Sequence, residues 1–146
     1  MIFVDSGAWI ALLDRRDQHH EDAVAIYNDL VQQNAQLLTT DYVIDETVTR
    51  LRYDWSHSGA VQFLNFIKRT KEATEGIGAL TIAAINSTLF QEAERLFRQY
   101  NTATLSFTDC TSFAVCQQHN ISEAFAFDQH FPMVGITLSG YSTSLT

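Results

Sequence analysis

Ile2-Phe3-Val4-Asp5-Ser6-Gly7 decides how this chain is read. Three apolar residues in a row, too few for a helix, describe a strand buried on both faces. An acid then ends the run, and Ser6–Asp14 follows with a helical pattern. The same order recurs further along: Leu37-Leu38-Thr39 reads as a short strand, Thr40 caps a helix running to about Trp55, and Glu46 lies early in that helix. Phe125-Ala126-Phe127 closes the strand Ala124–Phe127 and is ended by Asp128, while Asp109 opens the helix Phe107–His119 behind the cap Ser106.

The intervening segments complete the alternation. Asp17 is placed to cap a helix through about Asn34, with Ala23, Ile26, Tyr27, Leu30 and Val31 on one face. Ser56 or Ser58 starts a fourth helix with Phe63, Phe66 and Ile67 inward. Gly76 and Gly78 precede a strand at Ala79–Ile85, and Asn86 or Ser87 caps a fifth helix. Val134–Thr137 is read as a last strand, and Ser139–Thr146 as a polar tail. Strands alternating with helices require crossover connections. The expected fold is therefore three-layer α/β/α, with a mostly parallel sheet of four or five strands.

The 146 residues suit one domain, 1–146. Apolar residues are 46% and charged residues 18%, a globular balance that argues against disorder. No apolar run reaches the ~20 residues of a membrane span. Met1–Leu13 lacks a basic start and is interrupted by Asp5, which argues against a signal peptide. Cys110 and Cys116 lie six residues apart on one helix, ~9 Å along its axis. That is too far for a disulfide, so free thiols and a reducing cytosol are expected.

Ligands of parallel sheets bind at the carboxyl edge of the strands. Asp5, Glu46, Asp109 and Asp128 all map to that edge. Each also has a plain structural reading: Asp5 as a helix cap, Asp109 as the acid of a capping box, Asp128 as a turn former, Glu46 as a complement to the helix dipole. Asp45 competes with Glu46, and the longer arm favours Glu46. Four converging carboxylates repel unless a cation holds them, which points to hard divalent ions and phosphodiester chemistry. The net charge of −8 is unusual for a nucleic-acid enzyme, and the four acids account for half of it. Arg15, Arg16, Arg50 and Arg52 are candidate phosphate contacts. His130 is a lesser one, and His19 and His20 read as surface residues.

Phe3-Val4-Asp5-Ser6, Thr39-Thr40-Asp41-Tyr42-Val43-Ile44-Asp45-Glu46, Leu105-Ser106-Phe107-Thr108-Asp109-Cys110 and Ala126-Phe127-Asp128-Gln129-His130-Phe131 together resemble the PIN-domain ribonucleases, and within them the toxins of VapBC-type toxin–antitoxin pairs. The resemblance implies that Asp5, Glu46, Asp109 and Asp128 form an acidic site for Mg2+ or Mn2+. It also implies RNA as substrate, hydrolysis assisted by two metal ions, a homodimer and a small inhibiting antitoxin. Ala126 departs from the family, where Thr or Ser commonly precedes the phenylalanine. The rival readings are a catalytically silent interaction module, a DNA-directed nuclease, and an aspartyl phosphatase. The phosphatase is disfavoured by Gly7 where a second Asp would be needed.

Overall fold

The computed structural model describes residues 1–73 and 80–140. The elements run β1 (Ile2–Val4), α1 (Ser6–Leu13), α2 (His20–Gln32), β2 (Leu37–Thr40), α3 (Asp41–Asp54), α4 (His57–Glu72), β3 (Leu80–Ala83), α5 (Ser87–Gln99), α6 (Phe107–Gln118), β4 (Glu123–Phe125), α7 (His130–Met133) and β5 (Thr137–Leu138). The five strands are all parallel, in the order β3-β2-β1-β4-β5. The expected α/β class, with helices flanking a parallel sheet, is what forms. The chain steps outward from β1 to β2 and β3, then returns to the other side of β1 as β4. Strand order therefore reverses between β1 and β4, where open α/β sheets place ligands.

Sequence dictates much of this locally. Leu37, Leu38, Thr39 and Thr40 of β2 are all buried, so helices cover both sheet faces. The buried Thr39 hydroxyl is satisfied at both ends. It donates to the Val4 carbonyl (3.0 Å) and accepts from the Trp9 indole (3.3 Å). Phe3, Trp9, Phe63, Phe113, Phe125 and Phe131 are fully buried around the sheet. The hydroxyls of Thr40, Ser56 and Ser106 and the amide oxygen of Asn86 each accept a backbone N–H three residues on, capping α3, α4, α6 and α5. Cys110 and Cys116 are both free and buried.

Several boundaries differ from expectation. Asp17 does not cap α2: its carboxylate accepts from His19 N (2.8 Å) in a turn, and the helix starts at His20. β4 ends at Phe125, so residues 126–128 leave the sheet. The last strand is Thr137–Leu138, not Val134–Thr137. The short α7 and Gly135, at φ 83, turn the chain first, and Ile136 N donates back to Phe131 O. Ser139, read as tail, is buried: its N–H donates to Ala124 O and its hydroxyl to Glu123. Gly76, Gly78, Ala79 and residues 141–146 lie outside the described residues. No helix among the described residues is long and apolar enough to cross a membrane.

Gly59 permits the close approach of α3 and α4. A Cβ there would collide with the Trp55 ring, whose other contacts include the Arg16 guanidinium, 5.7 Å from the ring centre. Gly59→Ala is expected to lower the melting temperature, although alanine is the better helix former by ~1 kcal/mol, because overpacking costs about 1–3 kcal/mol. A thermal melt checks this, and a higher melting temperature would contradict it.

Candidate active site

Four elements deliver the acids to one cleft of about 510 Å3 at the carboxyl edge of the sheet. Asp5 directly follows β1, and its N–H donates to Phe125 O (3.1 Å), tying it to neighbouring β4. Asp128 lies three residues past β4. Glu46 sits in the second turn of α3, and Asp109 in the first turn of α6. Val43, Thr47 and Leu51 bury one face of α3. The helix turns ~100° per residue, so Asp45 is carried outward and is exposed. Glu46 and Arg50, one turn apart on the flank, both line the cleft.

Asp5 stands at the N-cap position of α1 but its side chain makes no capping bond. It is buried, and Oδ1 has no hydrogen-bond partner; the same is true of Glu46 Oε2. Ser6 does not cap either. Its hydroxyl is hydrogen-bonded to Glu46 and accepts from Arg50 Nη1 (3.3 Å), holding these two side chains at the cleft wall. Asp109 completes the capping box: Oδ2 accepts from Ser106 N (3.0 Å) while Ser106 Oγ accepts from Asp109 N (3.0 Å). The backbone bond of the box is thus carried by Oδ2, in a carboxylate that also lines the cleft. Asp128 Oδ1 accepts from His130 N (2.9 Å) and lies 2.7 Å from His130 Nδ1.

The electrostatics are those of an uncompensated acid cluster. The Asp5 pKa is pushed from 3.8 to about 7, first by burial, then by Asp109 and more weakly by Glu46 and Asp128, against a lowering hydrogen bond from the Ser6 backbone. Burial also raises Glu46, opposed by its bond to Ser6 and by the Arg50 charge. Asp109 is raised by burial and Asp128, and lowered by its bonds to Ser106. One ligand atom from each of Asp109, Asp128 and His130 falls within 4.8 Å of the others. Oxygen donors with one imidazole suit a hard divalent cation, and the partnerless oxygens of Asp5 and Glu46 line the same cleft.

Of the four arginines considered from sequence, Arg50 lines the cleft. Arg16 is committed elsewhere: it pairs with Asp14 through two nitrogens (3.1 and 3.2 Å) and donates to Asp54 O (3.4 Å). Arg52 lines a groove between α3 and α4 with Tyr53 and Leu64. Arg15 is exposed and off the cleft.

His19, with Asp17 and Gln18, was missed by sequence reasoning and lines the cleft. Its ring stacks on Phe127 at 4.4 Å and 3°. No residue pattern signals this, since it depends on where the loop before α2 lies against the end of β4. His20 is structural, its Nδ1 lying 2.7 Å from Ala11 O. Both thiols are buried, and burial raises the Cys110 pKa and pushes that of Cys116 up to about 12.

Comparison with known proteins agrees with this geometry. A family profile described as PIN domain matches residues 2–136. The 23S rRNA-specific endonuclease VapC20 of Mycobacterium tuberculosis is 28% identical over 135 residues, covering 92% of this chain and 95% of that protein. A VapC ribonuclease of Archaeoglobus fulgidus is 28% identical over 137 residues, covering 90% of this chain and 81% of its own length. The crystal structure of mycobacterial VapC20, described as a sarcin–ricin loop cleaving toxin, superimposes with a TM-score of 0.81 at 26% identity over 94% of this chain and 97% of that one. VapBC2 of Rickettsia felis, crystallised with a promoter DNA fragment, shares the fold at a TM-score of 0.63 and 12% identity, covering 95% of this chain and 98% of that one.

Proposed function

Because the chain belongs to the PIN domain family, we propose that it is an endoribonuclease which hydrolyses RNA phosphodiester bonds with Mg2+ or Mn2+, and that it is the toxin of a VapBC-type pair. The observation that carries the metal site is the pair of buried, partnerless oxygens, Asp5 Oδ1 and Glu46 Oε2, in a cleft shared with Asp109 and Asp128. Asp5, Glu46, Asp109 and Asp128 would hold the cation, with His130 beside Asp128. A divalent ion bound there supplies Lewis acidity to the phosphodiester and lowers the pKa of water.

The chain's own groups do the rest. Arg50, anchored by Ser6 at the cleft wall, is placed to pair with an RNA phosphate. His130 orients Asp128 through its backbone N–H. A carboxylate of the cluster not taken up by the cation can accept a proton from an attacking water. Support for RNA comes from relatives named as ribonucleases, and the mycobacterial protein makes the 23S rRNA sarcin–ricin loop the first substrate to try. The antitoxin and the homodimer rest on the same kinship. Co-purification with the product of a neighbouring small reading frame, and sedimentation of the toxin alone, test them.

Titration calorimetry with Mn2+ is expected to show binding to wild type and much weaker binding to Asp5→Asn, and equal binding would remove the proposed site. The products are expected to carry a 5′-phosphate and a 3′-hydroxyl. Mapping of RNA ends that found 2′,3′-cyclic phosphates would assign the attack to the RNA's own hydroxyl and overturn the mechanism.

A further inference from the structure

Thr104 and Leu105 line the acidic cleft on one side and a second cavity, of about 490 Å3, on the other. Phe97, Tyr100 and Phe107 furnish rings to this second cavity, and Arg98 its rim. Phe97 is 49% exposed, a large apolar ring left in water. It meets Phe107 edge-on at 6.1 Å, and Phe107 packs on Phe90 at 5.0 Å, so the exposed ring has rigid support. Phe107 is next in sequence to Ser106 of the acidic cleft and two residues before Asp109.

The charge of the second cavity selects its occupant. It is built on the C-terminal turn of α5, the negative end of the helix dipole, with Glu94 in its wall. A phosphate is disfavoured there, because the cation of the lining, Arg98, is already paired with Glu94 at 3.7 Å. A nucleobase is flat and uncharged, stacks on aromatic rings, and bears N–H donors that suit the Asn101 amide oxygen. The Arg98 side chain is 80% exposed, so its planar guanidinium can offer a second stacking surface while it keeps its ion pair with Glu94.

We propose that this cavity is a nucleobase pocket: it takes one unpaired base flanking the phosphate held in the acidic cleft, stacks it on Phe97, and thereby sets the cleavage-site preference. The pocket deepens the ribonuclease reading and rests on it for the neighbouring phosphate.

The test uses the full chain with Ca2+ in place of Mn2+, an ion that takes the same oxygen ligands but is a poorer Lewis acid, so that RNA is held and not cut, and short RNA hairpins of equal length that each carry one abasic position in an unpaired loop. Binding is read by fluorescence anisotropy. Wild type is expected to lose about tenfold in affinity at one loop position and little at others, the size of one stacked base. Phe97→Ala is expected to bind the intact hairpin about tenfold more weakly and to lose nothing further at that abasic position, while Phe97→Trp restores wild-type behaviour. The proposal is overturned if wild type shows no such position, or if Phe97→Ala and the abasic change act independently. It is equally overturned if Phe97→Ala alters the sedimentation of the RNA-free protein, since the aromatic face would then be covered by a second copy of the chain. Position-specific binding without Mn2+-dependent cleavage would leave the pocket standing and refute the ribonuclease reading instead.

Discussion

Asp5→Asn is expected to abolish Mn2+-dependent RNA cleavage and, in EDTA at pH 8, to raise the melting temperature. The two effects have one cause. Asp5 is 4% exposed, faces three other acids, and has an oxygen without a partner. Folding raises its pKa from 3.8 to about 7, so between those values the folded protein holds a proton the unfolded chain has released. The stability contributed by Asp5 is present below about pH 4 and is lost as pH rises through 7. At pH 8 the metal-free wild type carries the whole strain, on the order of a few kcal/mol. An amide removes it and can donate to neighbouring carboxylates. Wild type minus Asp5→Asn isolates this contribution from groups of opposite sign such as Asp14, whose pKa is held down chiefly by its hydrogen bond to Arg16. The variant should melt roughly 5 °C or more above wild type at pH 8 and about level with it at pH 4. Cleavage should fall at least about a thousandfold, the rate equivalent of losing several kcal/mol of metal-borne charge stabilisation. A variant that melts no higher than wild type at pH 8 would show that the cluster is not strained.

Asp109 separates structure from chemistry through two substitutions. Asp109→Asn keeps an acceptor for Ser106 N–H while removing a charge from the cluster; Asp109→Ala removes both. The capping contribution is about 1 kcal/mol, so the alanine variant should melt below the asparagine variant by a few degrees. Raised by burial and by Asp128, Asp109 destabilises the metal-free site when ionised, so Asp109→Asn should match or exceed wild type in EDTA near neutral pH. Both variants should lose Mg2+-dependent cleavage by orders of magnitude and show a smaller metal-induced rise in melting temperature. An asparagine variant that cleaves like wild type while melting lower would reduce Asp109 to a cap.

These expectations rest on a site of which part was legible in one dimension. Apolar runs, and the acids that punctuate them, are local signals. So are the caps Thr40, Ser56, Asn86 and Ser106, because a side chain that bonds a backbone N–H three residues on needs no tertiary contact. Boundaries were less legible where long-range bonds intervene. Ser139 looks polar and terminal in sequence, yet it extends the β4–β5 pairing and answers Glu123. The onset of α2 moved because Asp17 satisfies the turn before the helix instead of its first N–H groups.

By itself, the sequence determined the alternation of strand and helix, hence the α/β class, and the four acids at strand ends and helix starts. It did so because periodicity and capping act over three or four residues, a distance a linear pattern can record. The tertiary structure alone decided which neighbours share the cleft. Glu46 enters and Asp45 leaves because α3 buries Val43, Thr47 and Leu51. Arg50 enters and Arg16 stays away because Asp14 and Trp55 hold the latter. His19 arrives by stacking on Phe127, and Asp5 acquires its pKa from burial beside Asp109. The cleft they share depends on strand order reversing at β1, a property of pairings between residues more than a hundred positions apart, as with Phe3 and Ala124.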